Sequence, residues 1–361
     1  LNGNTMIKKL VFLIITCIFG ISSFAGNKVP KVIPALQSWK GQSGVFMPER
    51  TGTIVINKND SSLLMQTATI LADDMKEMFG YEYKVSVTGK AKKGDISLSL
   101  NKKKDRLGNE GYECSIGTKI EIEAETAKGV FWGTRTLLQM MYNQPNGLQK
   151  GKATDFPKYP NRGFMIDVAR KFFTLDFLKD YVKILSFYKI NELQIHLNDN
   201  GFVEFSDNDW NKTYSAFRLE SDRFPGLTAK DGSYTKDEFR ELQIMAQQYG
   251  INIIPEIDVP AHALAFTHYN PKLAADNKEY GADHLDLYKK EVYDFADSLF
   301  DEYLSGENPV FIGPEVHIGT DEYNLKEAEQ FRRFTNHYIS LIKKYGKTPR
   351  LWGSLNKMKG E

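Results

Sequence analysis

"INIIPEI", residues 251–257, is rich in β-branched isoleucine and stops after seven residues. It is too short for an amphipathic helix and too continuously apolar for a half-exposed strand, so it reads as a strand buried on both faces. The segment before it opens at Thr235 with Glu238 three residues on, which predicts a capping box, and Gly250 closes that helix. The same alternation continues in both directions. Upstream lie "GFMIDV" (163–168), a helix over Thr174–Tyr188 with Leu178, Val182, Leu185 and Tyr188 on one face, and "ELQIHL" (192–197). Downstream lie a helix over about 286–303, "VHIG" (316–319), a helix capped by Asn324 and Glu327 and running to Gly346, and "PRLWGS" (349–354). Strands alternating with helices predict a parallel sheet covered by helices. No glycine-rich phosphate loop comes after the first strand, which disfavours the dinucleotide-binding version of that pattern. Polar residues recur at the strands' carboxyl ends: Asp167 and Arg170; His196 and Asp199; Glu256, Asp258 and His262; Asp321 and Glu322; Trp352. In a (β/α)8 barrel these ends converge on one mouth, where catalysis sits. The expected fold class is therefore α/β, a (β/α)8 TIM-type barrel over 157–361. Only about five strands precede the final "KMKGE" (357–361), so an incomplete, C-terminally truncated barrel is expected.

A small α+β domain is expected ahead of it, over 31–150. "TIVIN" (53–57), "YKVSV" (83–87) and "DISLSL" (95–100) are short strand-like runs, and "CSIGTKIEIEAE" (114–125) reads as a hairpin turning at Gly117. Helices are expected over 61–79, ending at Gly80, and over 126–142. "QPNGLQKGKATDFPKYPN" (144–161) reads as the boundary between the domains.

The amino end reads as a secretory leader. Lys8 and Lys9 precede an apolar stretch from Leu10 to Ile21, and small residues up to Ala25 suit cleavage there. Residues 1–5 precede the expected start, Met6, and read as upstream sequence. Cleavage and release are expected rather than lipidation, giving a periplasmic or extracellular bacterial protein. Of the two cysteines only Cys114 would remain, which excludes an internal disulfide. With 47 basic and 46 acidic residues there is no charge excess to attract nucleic acid or an anionic membrane surface.

"HIGTDEYN" (317–324) places two adjacent carboxylates where a strand ends. One carboxyl kept protonated by an apolar setting can give a proton to a leaving oxygen, while the other stays charged. An acidic pair at a helix N-terminus can equally be a solvated, dipole-stabilised feature. The neighbouring motifs weigh on that choice. "RGFMIDVARKFF" (162–173), "LQIHLNDNGF" (193–202), "GINIIPEIDVPAH" (250–262) and "HIGTDEY" (317–323) occur in this order, each at a strand. Together they resemble glycoside hydrolase family 20, the β-N-acetylhexosaminidases. "AKGVFWGTRTLLQM" (127–140) is similar to the helix preceding that family's barrel, so the resemblance covers roughly residues 50–361.

The resemblance implies roles residue by residue. Glu322 matches the general acid/base. Asp321 matches the residue that orients the substrate's 2-acetamido group. The chemistry implied is substrate-assisted and retaining: the acetamide oxygen is the nucleophile and an oxazolinium forms. Arg162 matches an arginine that grips sugar hydroxyls, Asp199 and His262 match residues that support the acid and the pocket, and Asp258 matches an acid of the same network. Trp352 matches an aromatic wall of the acetamide pocket. The implied partner is a glycan ending in N-acetylhexosamine, with no cofactor and no metal.

Several positions depart from the family. Thr320 stands where glycine is common, Lys171 replaces a common histidine, Ala261 replaces glycine, and "HLNDNGF" lacks a second aspartate and a Gln-Gly-Trp stretch. Such departures fit a subfamily of different specificity, release of a disaccharide included. His196 and His317 are expected as packed core residues, and His268, His284 and His337 as surface residues. Two rival functions remain. A non-catalytic carbohydrate-binding protein would use Arg162 and Trp352 equally well. A metal-dependent barrel hydrolase would draw on His196, Asp199, Asp258, His262 and Asp321, although no His-x-His or His-Glu-x-x-His spacing is present.

Overall fold

The computed structural model describes residues 28–102, 107–275 and 281–353; the expected leader over 1–25 lies outside them. The chain divides into two compact units, residues 1–157 and 158–361.

Among its described residues the first unit is a seven-stranded mixed sheet with two α-helices. Its strands are β1 (Ser38–Phe46), β2 (Thr51–Ile56), β3 (Glu82–Val87), β4 (Ile96–Leu100), β5 (Tyr112–Ile116), β6 (Ile120–Ala124) and β7 (Leu148–Asp155), in the order β1-β7-β5-β6-β4-β2-β3. Helix α1 (Ser61–Phe79) ends where Gly80 turns left-handed, as its sequence predicts. Helix α2 (Ala127–Asn143) is capped by Thr126, whose side chain accepts from the Gly129 amide. It is buried from Gly129 to Met141, and its Arg135 forms an ion pair of 2.5 Å with Asp74 of α1. The expected boundary segment is corrected here. Residues 148–155 form β7, which pairs antiparallel with both β1 and β5. Its buried positions are Leu148, Gly151, Ala153 and Asp155 and its half-buried ones are Gln, Lys and Thr, so its apolar signal is weak. Its buried Asp155 is satisfied by the Tyr112 hydroxyl at 2.6 Å.

The second unit carries a five-stranded parallel sheet. Its strands are β8 (Gly163–Asp167), β9 (Glu192–His196), β12 (Asn252–Val259), β13 (Glu315–Gly319) and β14 (Thr348–Arg350), in the order β14-β13-β12-β9-β8. Helices α3 (Leu175–Phe187), α4 (Lys236–Gln248), α6 (Lys290–Leu304) and α7 (Ala328–Lys344) alternate with them, and a short α5 (Leu264–Tyr269) comes after β12. This is the barrel-type arrangement, with five strands among the described residues. The register between strands aligns the polar residues. Asp167 pairs with His196, His196 with Glu256, and Glu256 with His317. Four ionisable residues thus form one row across the carboxyl ends of four strands.

Two helix readings are adjusted. Leu178, Val182 and Leu185 are buried, whereas Tyr188 is the C-cap of α3 and exposed. Asn324 caps a 3-10 turn, Leu325–Glu327, that leads into α7. Among the described residues no helix is long and apolar enough to cross a membrane. At α4 the capping box is complete: the Thr235 side chain accepts from the Glu238 amide at 3.1 Å, and the Glu238 carboxylate accepts from the Thr235 amide at 2.8 Å. Thr235→Ala removes one half of it and should cost about 1 kcal/mol, read as a lower denaturation midpoint at unchanged m-value; an unchanged midpoint would contradict the box.

Candidate active site

The site is built outward from Asp199, which lies in a short strand, β10 (Asn198–Asn200), paired antiparallel with β11 (Ser215–Phe217). This ribbon, in the connection after β9, is too short and polar to show in the sequence. The Asp199 side chain is 1% exposed and meets three cationic or ionisable groups. One oxygen lies 2.6 Å from Arg170 Nη1 and 2.6 Å from His196 Nε2; the other lies 3.0 Å from His262 Nδ1. Asn198, fully buried, ties the ribbon to β12 by donating to the carbonyls of Asp258 and His262 and accepting from the Asp258 amide.

His262 carries this network to the acidic pair. Its Nε2 lies 3.6 Å from Asp321 Oδ1 and 3.4 Å from Glu322 Oε2. Both carboxyls therefore face one imidazole nitrogen, which resolves how adjacent side chains can serve one mouth. The backbone makes that possible. His262, Thr320 and Glu322 all take left-handed φ values, 54°, 67° and 49°, each costing about 1–3 kcal/mol for a non-glycine residue. Gly319, at φ 66°, permits the first turn: a Cβ there would lie 1.7 Å from Asp258 Oδ1. Tyr323 anchors the turn from below, donating to the Leu285 carbonyl at 2.9 Å and stacking on Phe331.

A second layer lies beneath. Glu256 is fully buried and reaches His196 Nδ1 at 2.9 Å and His317 Nδ1 at 3.1 Å, ion-pair contacts rather than aligned hydrogen bonds; Gln194 donates to it at 2.8 Å. His196 and His317 are both buried, in line with the expectation of packed core residues, and each contacts a buried carboxylate. His317 also meets Trp352 edge-on, ring centroids 4.8 Å apart. His284 departs from its surface assignment, being half-buried with Nε2 3.3 Å from the Glu322 carbonyl oxygen. His268 is exposed and His337 half-buried.

Arg162 requires a correction. It precedes β8, at the sheet's amino end, and its guanidinium is engaged by the carbonyls of Lys189, Tyr159 and Pro160. The structure does not bring it to the mouth. Arg170, after β8, occupies that place, bonded also to Asp167 and to the Asn200 carbonyl. Asp199, Asp258, His262, Asp321, Glu322 and Trp352 do lie at the carboxyl end.

Charge tracks burial and pairing. Burial works against ionising Asp199, yet the hydrogen bonds from His196 and His262 outweigh it and hold its carboxyl well below the usual range. Burial likewise opposes charge on His196, but Asp199 and Glu256 hold it well above the usual histidine range. Asp258, fully buried beside Glu256, is pushed well up by desolvation first and that charge second. Asp321 is raised by burial and partly pulled back by His262. The Glu322 side chain is 73% exposed, so the apolar setting expected around the proton donor is absent in this structure. Ligand-type atoms of Asp167, His196 and Asp199, of His196, Glu256 and Asp258, and of Asp258, His262 and Asp321 lie within 4.8 Å of one another in each set. In these sets the imidazoles contact carboxylates directly.

Burial opposes a charge on His262 as well, but the bond to Asp199 and the nearby Asp258 prevail, and its pKa rises to about 9. A raised histidine stabilises the fold fully below its unfolded value near 6.5 and loses that contribution as pH climbs through the folded value. Wild-type stability should thus fall between about pH 6.5 and 9.5 by up to about 3 kcal/mol from this residue. His262→Gln should flatten that part of the profile in thermal melts; parallel profiles would rule the pairing out.

Comparison with known proteins agrees with this geometry. The profile of "Glycosyl hydrolase family 20, catalytic domain" matches residues 159–356, and that of "Glycosyl hydrolase family 20, domain 2" matches residues 29–156. A beta-hexosaminidase of Akkermansia muciniphila is 30% identical over 293 residues, covering 71% of this chain and 58% of that protein. A lacto-N-biosidase of Bifidobacterium bifidum is 26% identical over 349 residues, covering 90% of this chain and 29% of that protein. The chain therefore spans less than two thirds of either relative. Among solved structures, a mutant Streptomyces plicatus beta-hexosaminidase in complex with product GlcNAc superposes with a TM-score of 0.76 at 27% identity, covering 92% of this chain and 68% of that one. With profiles of both domains matched in order along nearly its whole described length, the chain belongs to glycosyl hydrolase family 20.

Proposed function

We propose that this protein is a glycosidase that removes terminal β-linked N-acetylhexosamine from glycans by a retaining, substrate-assisted mechanism. One observation carries the reading. Asp321 Oδ1 is buried without an aligned hydrogen-bond donor among the described residues, while Glu322 beside it stands open to solvent. A buried acceptor lacking a donor is costly, and the N–H of a substrate acetamide would satisfy it. That bond turns the acetamide carbonyl oxygen toward the anomeric carbon, where a weak nucleophile needs fixed placement to react. The Glu322 carboxyl gives its proton to the glycosidic oxygen as that bond breaks, and the acetamide oxygen closes an oxazolinium ring. Glu322, now a carboxylate, takes a proton from the water that opens the ring, so configuration is retained. His262, held cationic by Asp199, favours the ionised form of Asp321 against the pull of burial. Names of relatives support the same class: beta-hexosaminidase for the Akkermansia protein, and GlcNAc as product in the Streptomyces complex.

Glu322→Gln should lower kcat by about 10²–10⁴, with inhibitor binding retained. Asp321→Asn should lower kcat/KM by about 10²–10³ and erode the preference for 2-acetamido sugars. Release of an aryl leaving group from N-acetyl-β-glucosaminide and N-acetyl-β-galactosaminide reads both. Equal turnover of glucosides lacking the acetamide would eliminate substrate assistance. Loss of activity in chelator would favour the metal-dependent alternative.

The leader assigns the protein to export across a bacterial inner membrane. Amino-terminal sequencing of the exported product should begin at Gly26; a product still carrying residues 6–25 would refute cleavage after Ala25.

A further inference from the structure

Ser215 of β11 and His268 of α5 form a hydrogen-bonded pair that takes no part in the Asp199 network. Ser215 Oγ lies 2.9 Å from His268 Nδ1, and His268 Nε2 lies 2.9 Å from the Trp210 carbonyl oxygen. A carbonyl only accepts, so in the neutral imidazole the proton sits on Nε2. Nδ1 is then the acceptor, and the serine hydroxyl donates to it. A nucleophile, a base and a group that fixes the base's tautomer are thereby brought together. Ser215 is half-buried and His268 exposed, so the pair is reachable from solvent.

The register of the ribbon adds a fourth part. The Arg218 amide bonds to the Leu197 carbonyl at 2.9 Å, and the Gly201 amide to the Tyr214 carbonyl at 2.8 Å. Successive residues of an antiparallel pair turn their peptide groups to opposite sides, so those of Ser215 and Phe217 face away from β10. On that side the Ala229 amide donates to the Phe217 carbonyl at 2.9 Å. The Ser215 amide has no hydrogen-bond partner among the described residues. A cavity of about 390 Å³ opens beside it, lined by Ser215 and His268 themselves, by Leu227, Ala229 and Ala265, and by Lys230. The amide can serve the oxygen of a carbonyl held against Ser215 Oγ, and Lys230 adds positive charge to the same space. Asp231, on the same wall, is paired with Arg218 at 2.6 Å.

We propose that Ser215, with His268 as base and the Trp210 carbonyl as its orienter, is the nucleophile of a second active centre that hydrolyses carboxylic esters of short-chain acids. Ser215 Oγ bonds to the acyl carbon as its proton passes to His268 Nδ1. The carbonyl electron pair moves onto oxygen, beside the Ser215 amide. Collapse of this adduct breaks the bond to the alcohol oxygen, which leaves with the proton from His268. Water then attacks the acylated serine and gives its proton to His268; the carboxylic acid departs, and Ser215 Oγ recovers the proton. The small apolar residues of the wall suit a short acyl chain. A main-chain carbonyl holds the tautomer but brings no full negative charge to stabilise the imidazolium. The centre therefore suits esters, whose alcohols leave readily, more than amides.

Hydrolysis of p-nitrophenyl acetate by the native-length protein tests this, together with peptide mapping after reaction with a fluorophosphonate. Wild type should release nitrophenol faster than buffer, with an initial burst of about one equivalent per chain. Ser215→Ala and His268→Gln should each lower the rate about a hundredfold or more, and the fluorophosphonate should be found on Ser215. The mapping needs only the wild-type chain, so it decides even where a variant melts early. A rate unchanged in Ser215→Ala would overturn the proposal, and so would a chain that excess fluorophosphonate leaves unlabelled at Ser215. Nitrophenol released through acylated lysines, with Ser215 unmodified, would overturn it as well.

Discussion

A buried carboxylate has to be neutralised locally, and Asp199 is the one on which this mouth depends. Removing a charge from water costs several kcal/mol unless partners of opposite sign and good geometry replace the solvent. Arg170, His196 and His262 supply that replacement from the ends of β8, β9 and β12. Each is therefore fixed in rotamer and in charge by the same atom pair. The acidic pair after β13 inherits its position from this arrangement, because His262 touches Asp199 with one nitrogen and both Asp321 and Glu322 with the other. Three strands that are remote in sequence are joined through a single side chain.

The parallel sheet makes such a junction possible. Its register lines up Asp167, His196, Glu256 and His317 at one level, so carboxylates and imidazoles alternate across the strands. Alternation sets an imidazole beside a carboxylate at each neighbouring pair of strands. The strained turns at His262, Thr320 and Glu322 then lift the reactive groups out of this row toward the opening. Strain of that kind persists only where surrounding bonds over-determine it. Here the Thr320 amide bonds to the Val259 carbonyl and the Trp352 amide to the Gly319 carbonyl, pinning β13's end from both sides.

The buried strands and the helix caps are legible in the sequence because their signals are local: apolar runs, Thr235 with Glu238, Gly80 after Phe79. Strands β1, β7, β10 and β11 are not, since they are polar, short or glycine-bearing and owe their form to pairing rather than composition. At the site, the ordered motifs place Asp321, Glu322, Asp199, Asp258, His262 and Trp352 at the carboxyl end. Arg162 and Arg170 bracket one strand eight residues apart, and the motif alone does not separate them. Strand direction does: a residue before a strand lies at the amino end, one after it at the mouth. His284 escapes a sequence reading because it belongs to a connection with no periodic pattern, and only tertiary folding brings it to the Glu322 carbonyl. Glu256 and His317 show the remaining gap, since sequence marks them as interior but cannot say that they meet each other there.

Among the described residues β8 forms one end of the parallel sheet, with Phe164 and Met165 exposed along it. A strand in that position presents backbone donors and acceptors on its outer side, flanked by apolar side chains, and that is the surface on which a further strand of the same sheet would pair.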